Sequence, residues 1–403
     1  MSFSVGIPKE LKPGEKRVSL TPKGTQYLHQ KGTTVYIEEN AGLLSGFSNR
    51  EYEKAGGILV PSAQDLWNKA HLIKKVKEPI KAEFNFFTPQ HIIFTFLHLV
   101  SPSAKPLILA LQKAKTTAIA YETIEKDNEI PLLKPMSEVA GTLAAYYGAI
   151  FQTHIKVIAG KIQGLQAAKS AMLEAASQYP AVPDFRYHGK LLVLGGGHVG
   201  RHAAQMAARM GGEVWVSEIS EAKRKQLKVI LSEAKDLHVD SSASGLRMTN
   251  GGSINLVNPS EAGKYQDCLN SADLVIGAVH SVGERAPLVI GHELLKRISQ
   301  QKPKIILDIS IDQGGNVAES KPCDYEELVY LDSFGNLRFS VTNIPSFCGR
   351  GASLALEAAS LEYTDQLAQG LDHAIQVCPE LKSGINILKG EIVHRAIREA
   401  HGL

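Results

Sequence analysis

Short apolar runs alternate with stretches of helical spacing along this chain, and the pattern is clearest over 190–218. Leu191-Leu192-Val193-Leu194 has the length and continuity of a strand buried on both faces. Ala203, Ala204, Met206, Ala207 and Met210 then recur at helical period, and Gly211-Gly212 stops the helix. Val214-Trp215-Val216 reads as the next strand and delivers Glu218. Nearer the N-terminus the same reading predicts strands at 5–7, 34–37, 71–73, 92–96 and 117–121. Helices are predicted at 22–31, 49–55, 63–69 and 104–114. Such alternation describes an α/β layer with a parallel sheet. Ser137 is expected to cap a long apolar-rich helix over 138–155. Past Glu218 the pattern predicts a helix over 221–231, a Ser/Gly/Asn-rich loop over 241–252, and strands at 272–278 and 304–308. A second long helix over 351–370 follows, and the remainder reads as helical.

Between the strand at Leu191 and the helix through Ala203, Gly195, Gly197 and Gly200 stand at the spacing G-x-G-x-x-G. Gly195 permits the tight turn, Gly197 lets a pyrophosphate approach the backbone, and Gly200 lets the helix pack close to the strand. Glu218, at the end of the second strand, is placed to accept hydrogen bonds from a ribose hydroxyl. The motif alone is weak, but strand, glycines, helix, strand and acid occur here in order, which predicts dinucleotide binding.

The fold class expected is therefore α/β, with two Rossmann-like doubly wound parallel-sheet domains. A nucleotide-binding domain over 135–345 is inserted into a discontinuous substrate domain formed by 1–134 and 346–403. The cleft between such domains is the default active site. A chain of 403 residues exceeds one ordinary core, in keeping with two domains. With 44% hydrophobic and 21% charged residues it has the composition of a soluble globular protein. A net charge of +3 and the lack of a basic block argue against nucleic acid as a partner. Cys268, Cys323, Cys348 and Cys378 are scattered without metal-ligand spacing, which suits a reducing compartment. No signal peptide and no apolar run of membrane-spanning length is seen, so a cytoplasmic location is expected.

The N-terminal half carries three polar residues in strand-end settings. Arg17 lies in Gly14-Glu15-Lys16-Arg17-Val18, Lys77 in Lys75-Val76-Lys77-Glu78-Pro79, and His98 follows the strand at 92–97. Two cations and an imidazole at neighbouring strand ends could hold a carboxylate and supply a general acid/base. Each also has a plainer reading, since an Arg or Lys is ordinarily solvated surface and a His in an apolar run is ordinarily core. Spacing alone leaves the trio open.

At these residues the sequence resembles the alanine dehydrogenase and pyridine nucleotide transhydrogenase family, closest to alanine dehydrogenase. The matching pieces are Ile7-Pro8-Lys9-Glu10, Arg17-Val18-Ser19-Leu20-Thr21-Pro22, Val76-Lys77-Glu78-Pro79 and Phe96-Leu97-His98-Leu99. Tyr121-Glu122-Thr123, Met136-Ser137-Glu138-Val139-Ala140-Gly141, Ile276-Gly277-Ala278-Val279 and Ile311-Asp312-Gln313-Gly314-Gly315 match too, in family order. The resemblance implies that Arg17 and Lys77 grip a substrate carboxylate, that His98 is the acid/base, and that Asp312 orients water or the amine. It implies that Ser137, Lys223 and Asn343 contact the cofactor, with Glu218 on the ribose, and that NAD is that cofactor. It further implies a homohexamer, for which the long apolar helices offer surface. The activity implied is reversible oxidative deamination of L-alanine to pyruvate and ammonia.

Three alternatives stand beside that expectation: an opine-type dehydrogenase joining an amino acid to a keto acid, the nucleotide-binding subunit of a proton-pumping transhydrogenase, and a nucleotide-sensing module without chemistry. Transhydrogenases of this family lack the dehydrogenase histidine, so His98 tips the reading toward a dehydrogenase. The sequence departs from the family pattern over 170–189 and over 233–263. The alanine-dehydrogenase pattern N-M-P followed by V-P-x-T-S becomes Asn343-Ile344-Pro345, then Phe347-Cys348-Gly349-Arg350-Gly351-Ala352-Ser353. The last departure bears on substrate identity more than on reaction class.

Overall fold

The computed structural model describes residues 3–158, 161–178, 187, 189–233, 252–280, 285–323 and 327–402. The loop expected over 241–252 falls outside them except for Gly252, as do parts of the departures over 170–189 and 233–263. The chain divides into two compact units, Met1–Met136 with Ser346–Leu403, and Ser137–Pro345.

In the first unit, six parallel strands lie in the order Ile58–Val60, Val35–Glu38, Val5–Ile7, Leu72–Lys74, Ile92–Thr95, Thr117–Ala120. Numbered along the chain this is the doubly wound order 3-2-1-4-5-6, which leaves a crevice at the carboxyl ends where its direction reverses. The reversal falls between Val5–Ile7 and Leu72–Lys74. Trp67, Ile73, Ile93, Leu107 and Leu111 fill the core on one face of this sheet. Local signals place the helices: Pro22 opens Pro22–Gln30, and Ser62 caps Ala63–Lys69 by accepting the Asp65 amide.

The C-terminal remainder is not all helical, contrary to the sequence reading. Ile385–Leu388 adds antiparallel to the Thr117–Ala120 edge and pairs in turn with Glu391–Ile392. The apolar run is broken by Asn386, so no strand pattern registers. Its side-chain amide instead donates to the Thr123 hydroxyl and the Gly384 carbonyl, which lets it be buried.

The second unit repeats the order: Ser253–Val257, Glu213–Ser217, Lys190–Leu194, Leu274–Gly277, Ile305–Asp308 and Leu337–Phe339 are parallel. Tyr330–Leu331 closes that edge antiparallel. Both sheets are thus parallel-dominated and mixed, each with an antiparallel edge.

Two expectations about the long helices are corrected. Ser137 does not cap its helix, which runs Lys134–His154. Pro135 occupies the first turn, where its missing N–H is no loss, so the helix starts earlier than a Ser-based reading suggests. Nor do the long helices offer broad apolar surface for a partner. Leu143, Ala144, Ala149, Ile150 and Phe151 of the first are buried, as are Ala352, Leu356, Leu367 and Ala368 of Gly349–Ala368.

Candidate active site

In the first unit, the segments leaving the carboxyl ends of four adjacent parallel strands carry the polar groups. Glu10 follows Val5–Ile7, Lys77 follows Leu72–Lys74, His98 follows Ile92–Thr95, and Glu122 follows Thr117–Ala120. Lys77 Nζ stands 3.5 Å from His98 Nε2. Lys77 is only 7% exposed, so it is not a solvated surface lysine. The His98 side chain is 42% exposed, so it is not a packed core histidine. Its ring stacks on Phe96 at 6.0 Å and 8°, and Phe96 in turn meets Tyr121 edge-on. The backbone at His98 is left-handed, with φ +50°, an uncommon conformation for a residue with a side chain. Glu122 holds it there, since its carboxylate accepts the amides of Leu97 at 3.1 Å and His98 at 2.6 Å.

Arg17 is 3% exposed and forms a forked ion pair with Glu15. Nε donates to Oε1 at 2.7 Å and Nη2 to Oε2 at 2.6 Å, while the Arg17 amide also donates to Oε1. Nη1 lies 3.1 Å from Met136 Sδ. A cavity of about 200 Å³ opens beside it, lined by Glu10, Glu15, Arg17, Asn40, Leu43 and Leu44 among others.

Beneath these groups is a layer of buried charge. Lys75 Nζ lies 3.3 Å from Glu10 and 3.0 Å from Glu83, all three nearly inaccessible. Glu10 also accepts the amides of Val76 at 2.5 Å and Lys77 at 3.3 Å, which fixes the segment that carries Lys77. Burial pushes the Glu10 carboxyl above its ordinary range, against the pull of Lys75. For Glu78, burial acts upward too, but His98, Lys77 and Lys12 outweigh it and hold the carboxyl below its ordinary range. Glu78 therefore stays an anion beside the Lys77–His98 pair.

The second unit bears the glycine turn. Gly195 has φ +94°, and a Cβ there would stand 2.9 Å from the Ala278 carbonyl across the point where the strand order reverses. A Cβ on Gly200 would lie 1.9 Å from the Gly195 carbonyl, so close helix-to-strand packing demands glycine. Gly197 is different: a Cβ there would meet nothing within 4 Å. The folded chain itself gives no steric reason for glycine at 197, whereas a phosphate drawn to the start of His198–Arg209 does. Glu218, 8% exposed, reaches back to this turn, accepting the Gly196 amide at 3.1 Å and the Ser220 amide at 2.8 Å. Arg224 is engaged with the carbonyls of Glu218 and Ile219 at 2.6 and 2.7 Å. The turn fits a dinucleotide whose ribose hydroxyls meet a carboxylate.

The remaining residues singled out by sequence also lie in the second unit. Ser137 is half-buried in the Lys134–His154 helix, and Lys223 is exposed with its amide donating to Ser220 Oγ at 3.3 Å. Asn343 is left-handed at φ +61°. Asp312 is exposed on the short helix Ile309–Gln313, which leaves the Ile305–Asp308 strand at its carboxyl end. A buried scaffold supports that end. Asp308 accepts the amides of Asn316 and Val317 and the Ser320 hydroxyl, and the Asn316 side chain bonds both backbone groups of Val279. Sequence reasoning did not single out Glu10, Glu15, Glu78 or Glu122 as functional, although all four lie within or beside the matched segments.

The fold and these two sites define a two-unit α/β protein with a dinucleotide cradle in one unit and a cation–imidazole cluster at strand ends in the other. The alanine dehydrogenase/PNT N-terminal domain matches residues 6–140 and the C-terminal domain matches 165–395, so the chain belongs to the alanine dehydrogenase/PNT family. It is 33% identical over 401 residues to an alanine dehydrogenase of Methanococcus maripaludis, covering 99% of this chain and 96% of that one. It is 33% identical over 396 residues to the alanine dehydrogenase of Bacillus subtilis, covering 98% and 93%. Among solved structures it is similar to an L-alanine dehydrogenase, with a TM-score of 0.80, 32% identity and 99% of each chain covered. A transhydrogenase from Sinorhizobium meliloti shares the fold at a TM-score of 0.71 and 20% identity, over 97% and 99% of the two chains.

Proposed function

We propose that this chain is an NAD-dependent dehydrogenase that reversibly deaminates L-alanine to pyruvate and ammonia. The carrying observation is the exposed His98 imidazole, set 3.5 Å from buried Lys77 at the crevice of a doubly wound sheet. The alanine dehydrogenases at 33% identity over nearly the whole chain support the substrate. NAD, when bound, accepts the hydride from the substrate's α-carbon.

The protein's own groups then do the following. Lys77 and Arg17 hold the carboxylate, which places the α-carbon instead of leaving it to collision. His98 takes up and returns the proton as water adds to the imine. Asp312 favours the amine and iminium by charge. Ser137, Lys223 and Asn343 serve as cofactor contacts, Gly195, Gly197 and Gly200 as the cradle, and Glu218 as the ribose acceptor. The enzyme works in the cytoplasm as a homohexamer on this reading. Its four cysteines are free thiols, and no helix among the described residues is long and apolar enough to cross a membrane.

A steady-state screen of amino acids with NAD and NADP tests the reading, with L-alanine and NAD expected to give the highest kcat/KM. NADH binding without turnover of any amino acid would instead mark a nucleotide-sensing module. One other chemistry, an opine-type dehydrogenase, would require the altered segment over 347–353 to open room for a second substrate. Product analysis with pyruvate and either ammonia or ornithine separates the two, and light scattering tests the hexamer.

A further inference from the structure

Ser346 and the segment over 347–353, where the sequence was expected to leave its family's pattern, pack within the first unit on the stretch that carries Arg17. Ser346 Oγ accepts the Lys16 amide at 2.8 Å and donates to the Gly14 carbonyl at 2.5 Å. Ser353 Oγ accepts the Val18 amide at 2.9 Å. Arg17 is thus gripped through its chain neighbours on both sides. Gly349 lies so near that a Cβ there would stand 2.9 Å from the Lys16 carbonyl.

The same segment holds a second wall. Ser45 Oγ donates to the Lys16 carbonyl at 2.6 Å and stands 3.1 Å from Ser353 Oγ. Arg350 Nη1 donates to the Gly46 carbonyl at 2.6 Å, and its guanidinium lies 4.1 Å over the Phe47 ring. Gly46, left-handed at φ +75°, ends the single turn Leu43–Ser45. Leu43 and Leu44 of that turn are 59% and 67% exposed, and both line the cavity of about 200 Å³ that Arg17 borders. Two large apolar side chains are therefore held over a small cavity by contacts made from their backbone neighbours.

We propose that Arg350 is a specificity-determining positioning residue. By pinning the Leu43–Ser45 turn against the Arg17 segment, it fixes an apolar wall facing the side chain of the bound acid and restricts the substrate to short-chain 2-amino acids. This rests on Arg17 as the carboxylate grip. With the carboxylate on Arg17, the substituent on the α-carbon meets Leu43 and Leu44, and each methylene it gains must be accommodated by that turn. One methylene in such a pocket is typically worth about 10-fold to 200-fold in kcat/KM.

The test compares wild type, Arg350→Ala, Arg350→Lys and Leu44→Ala on alanine, 2-aminobutyrate and norvaline. Arg350→Ala is expected to raise the norvaline-to-alanine ratio of kcat/KM by about tenfold, chiefly through a lower KM for norvaline. Arg350→Lys, which lacks the planar group over Phe47, should fall between. Leu44→Ala should shift the ratio the same way, and the Arg350→Ala/Leu44→Ala pair should add little, because both changes act on one wall. Arg350 is exposed, so its removal leaves the fold, checked by melting temperature, and NADH binding intact. A ratio unchanged within twofold, or an equal fall on all three substrates, overturns the inference while leaving the proposed reaction standing. Wild type that neither turns over these amino acids nor binds the matching 2-oxo acids by calorimetry overturns both.

Discussion

His98 occupies a backbone conformation that side chains disfavour, and the carboxylate of Glu122 keeps it there through two amides. Its exposure beside buried Lys77 separates the roles of the two residues. With His98 as the proposed acid/base, removing the imidazole takes away proton transfer in the transition state, so His98→Ala should lower kcat by about 100-fold to 10,000-fold. Lys77→Ala should weaken substrate binding as well as turnover, since a misplaced carboxylate also misplaces the α-carbon. Both variants should keep their affinity for NADH, because the glycine turn belongs to the other unit. Active-site-titrated rates beside melting temperatures decide the point: a destabilised His98→Ala with intact turnover would falsify its catalytic role. Spacing alone left Arg17, Lys77 and His98 open, and it was the family resemblance of the segments that carry them that singled them out. Their carboxylate partners were not. Glu15 and Glu10 were not singled out in the sequence, and only the fold shows them buried against Arg17 and Lys75. Nothing in a linear sequence distinguishes an acid turned to solvent from one enclosed with a guanidinium.

At the scale of the element, the strand–turn–helix after Lys190 gives each glycine a separate duty, and the duties can be told apart. Gly200→Ala places a Cβ 1.9 Å from the Gly195 carbonyl, so helix and strand must separate. A loss of about 1–3 kcal/mol in stability is expected for such overpacking, with nucleotide binding lost as well. Gly197→Ala has open space in the folded chain, so stability should hold while NADH affinity falls, because the new methyl would stand where the proposed cradle admits a phosphate. Urea midpoints and calorimetric NADH titrations of both variants check this, and equal damage to stability in the two would refute the distinction. Glu218, turned toward Gly196, should exclude a 2′-phosphate, giving NAD a higher kcat/KM than NADP. A Glu218→Ser variant should narrow that preference, and an unchanged NAD-to-NADP ratio would argue against the assignment. This element was legible because strands buried on both faces are continuous apolar runs. Edge strands were not: Ile58 in Ile58–Val60 is 47% exposed, and Ser253–Val257 is half-buried and interleaved with Ser and Asn. The misplaced helix start at Ser137 has the same origin, a local cap signal overridden by Pro135 upstream.

Over the whole molecule, the two units share one strand order and differ in what they bring to the point of reversal: backbone amides and glycines in one, buried charge in the other. Buried ion pairs seldom stabilise a fold relative to apolar packing, so the first unit carries a stability penalty along with its functional groups. Lys74 makes that penalty measurable. It ends the Leu72–Lys74 strand with no exposure, and its Nζ donates to Ser360 Oγ at 2.9 Å. Burial pushes its ammonium from an ordinary value of 10.5 down to about 7, opposed by the carboxylate of Glu357. That carboxylate is itself engaged by the amide and hydroxyl of Thr21. In the window from about 7 to 10.5 the unfolded chain binds a proton at this lysine that the folded chain does not. Stability from this group therefore rises with pH across the window, and the full penalty remains below it, where both states are charged. Lys74→Met removes this titration while leaving other groups common to both proteins. The stability of wild type minus that of Lys74→Met should climb by up to about 1.4 kcal/mol per pH unit between pH 7 and 9. Urea midpoints at pH 7, 8 and 9 give the slope directly. A difference that stays flat or falls with pH would show that Lys74 keeps its proton in the folded protein, stabilised by Glu357 more than it is destabilised by burial.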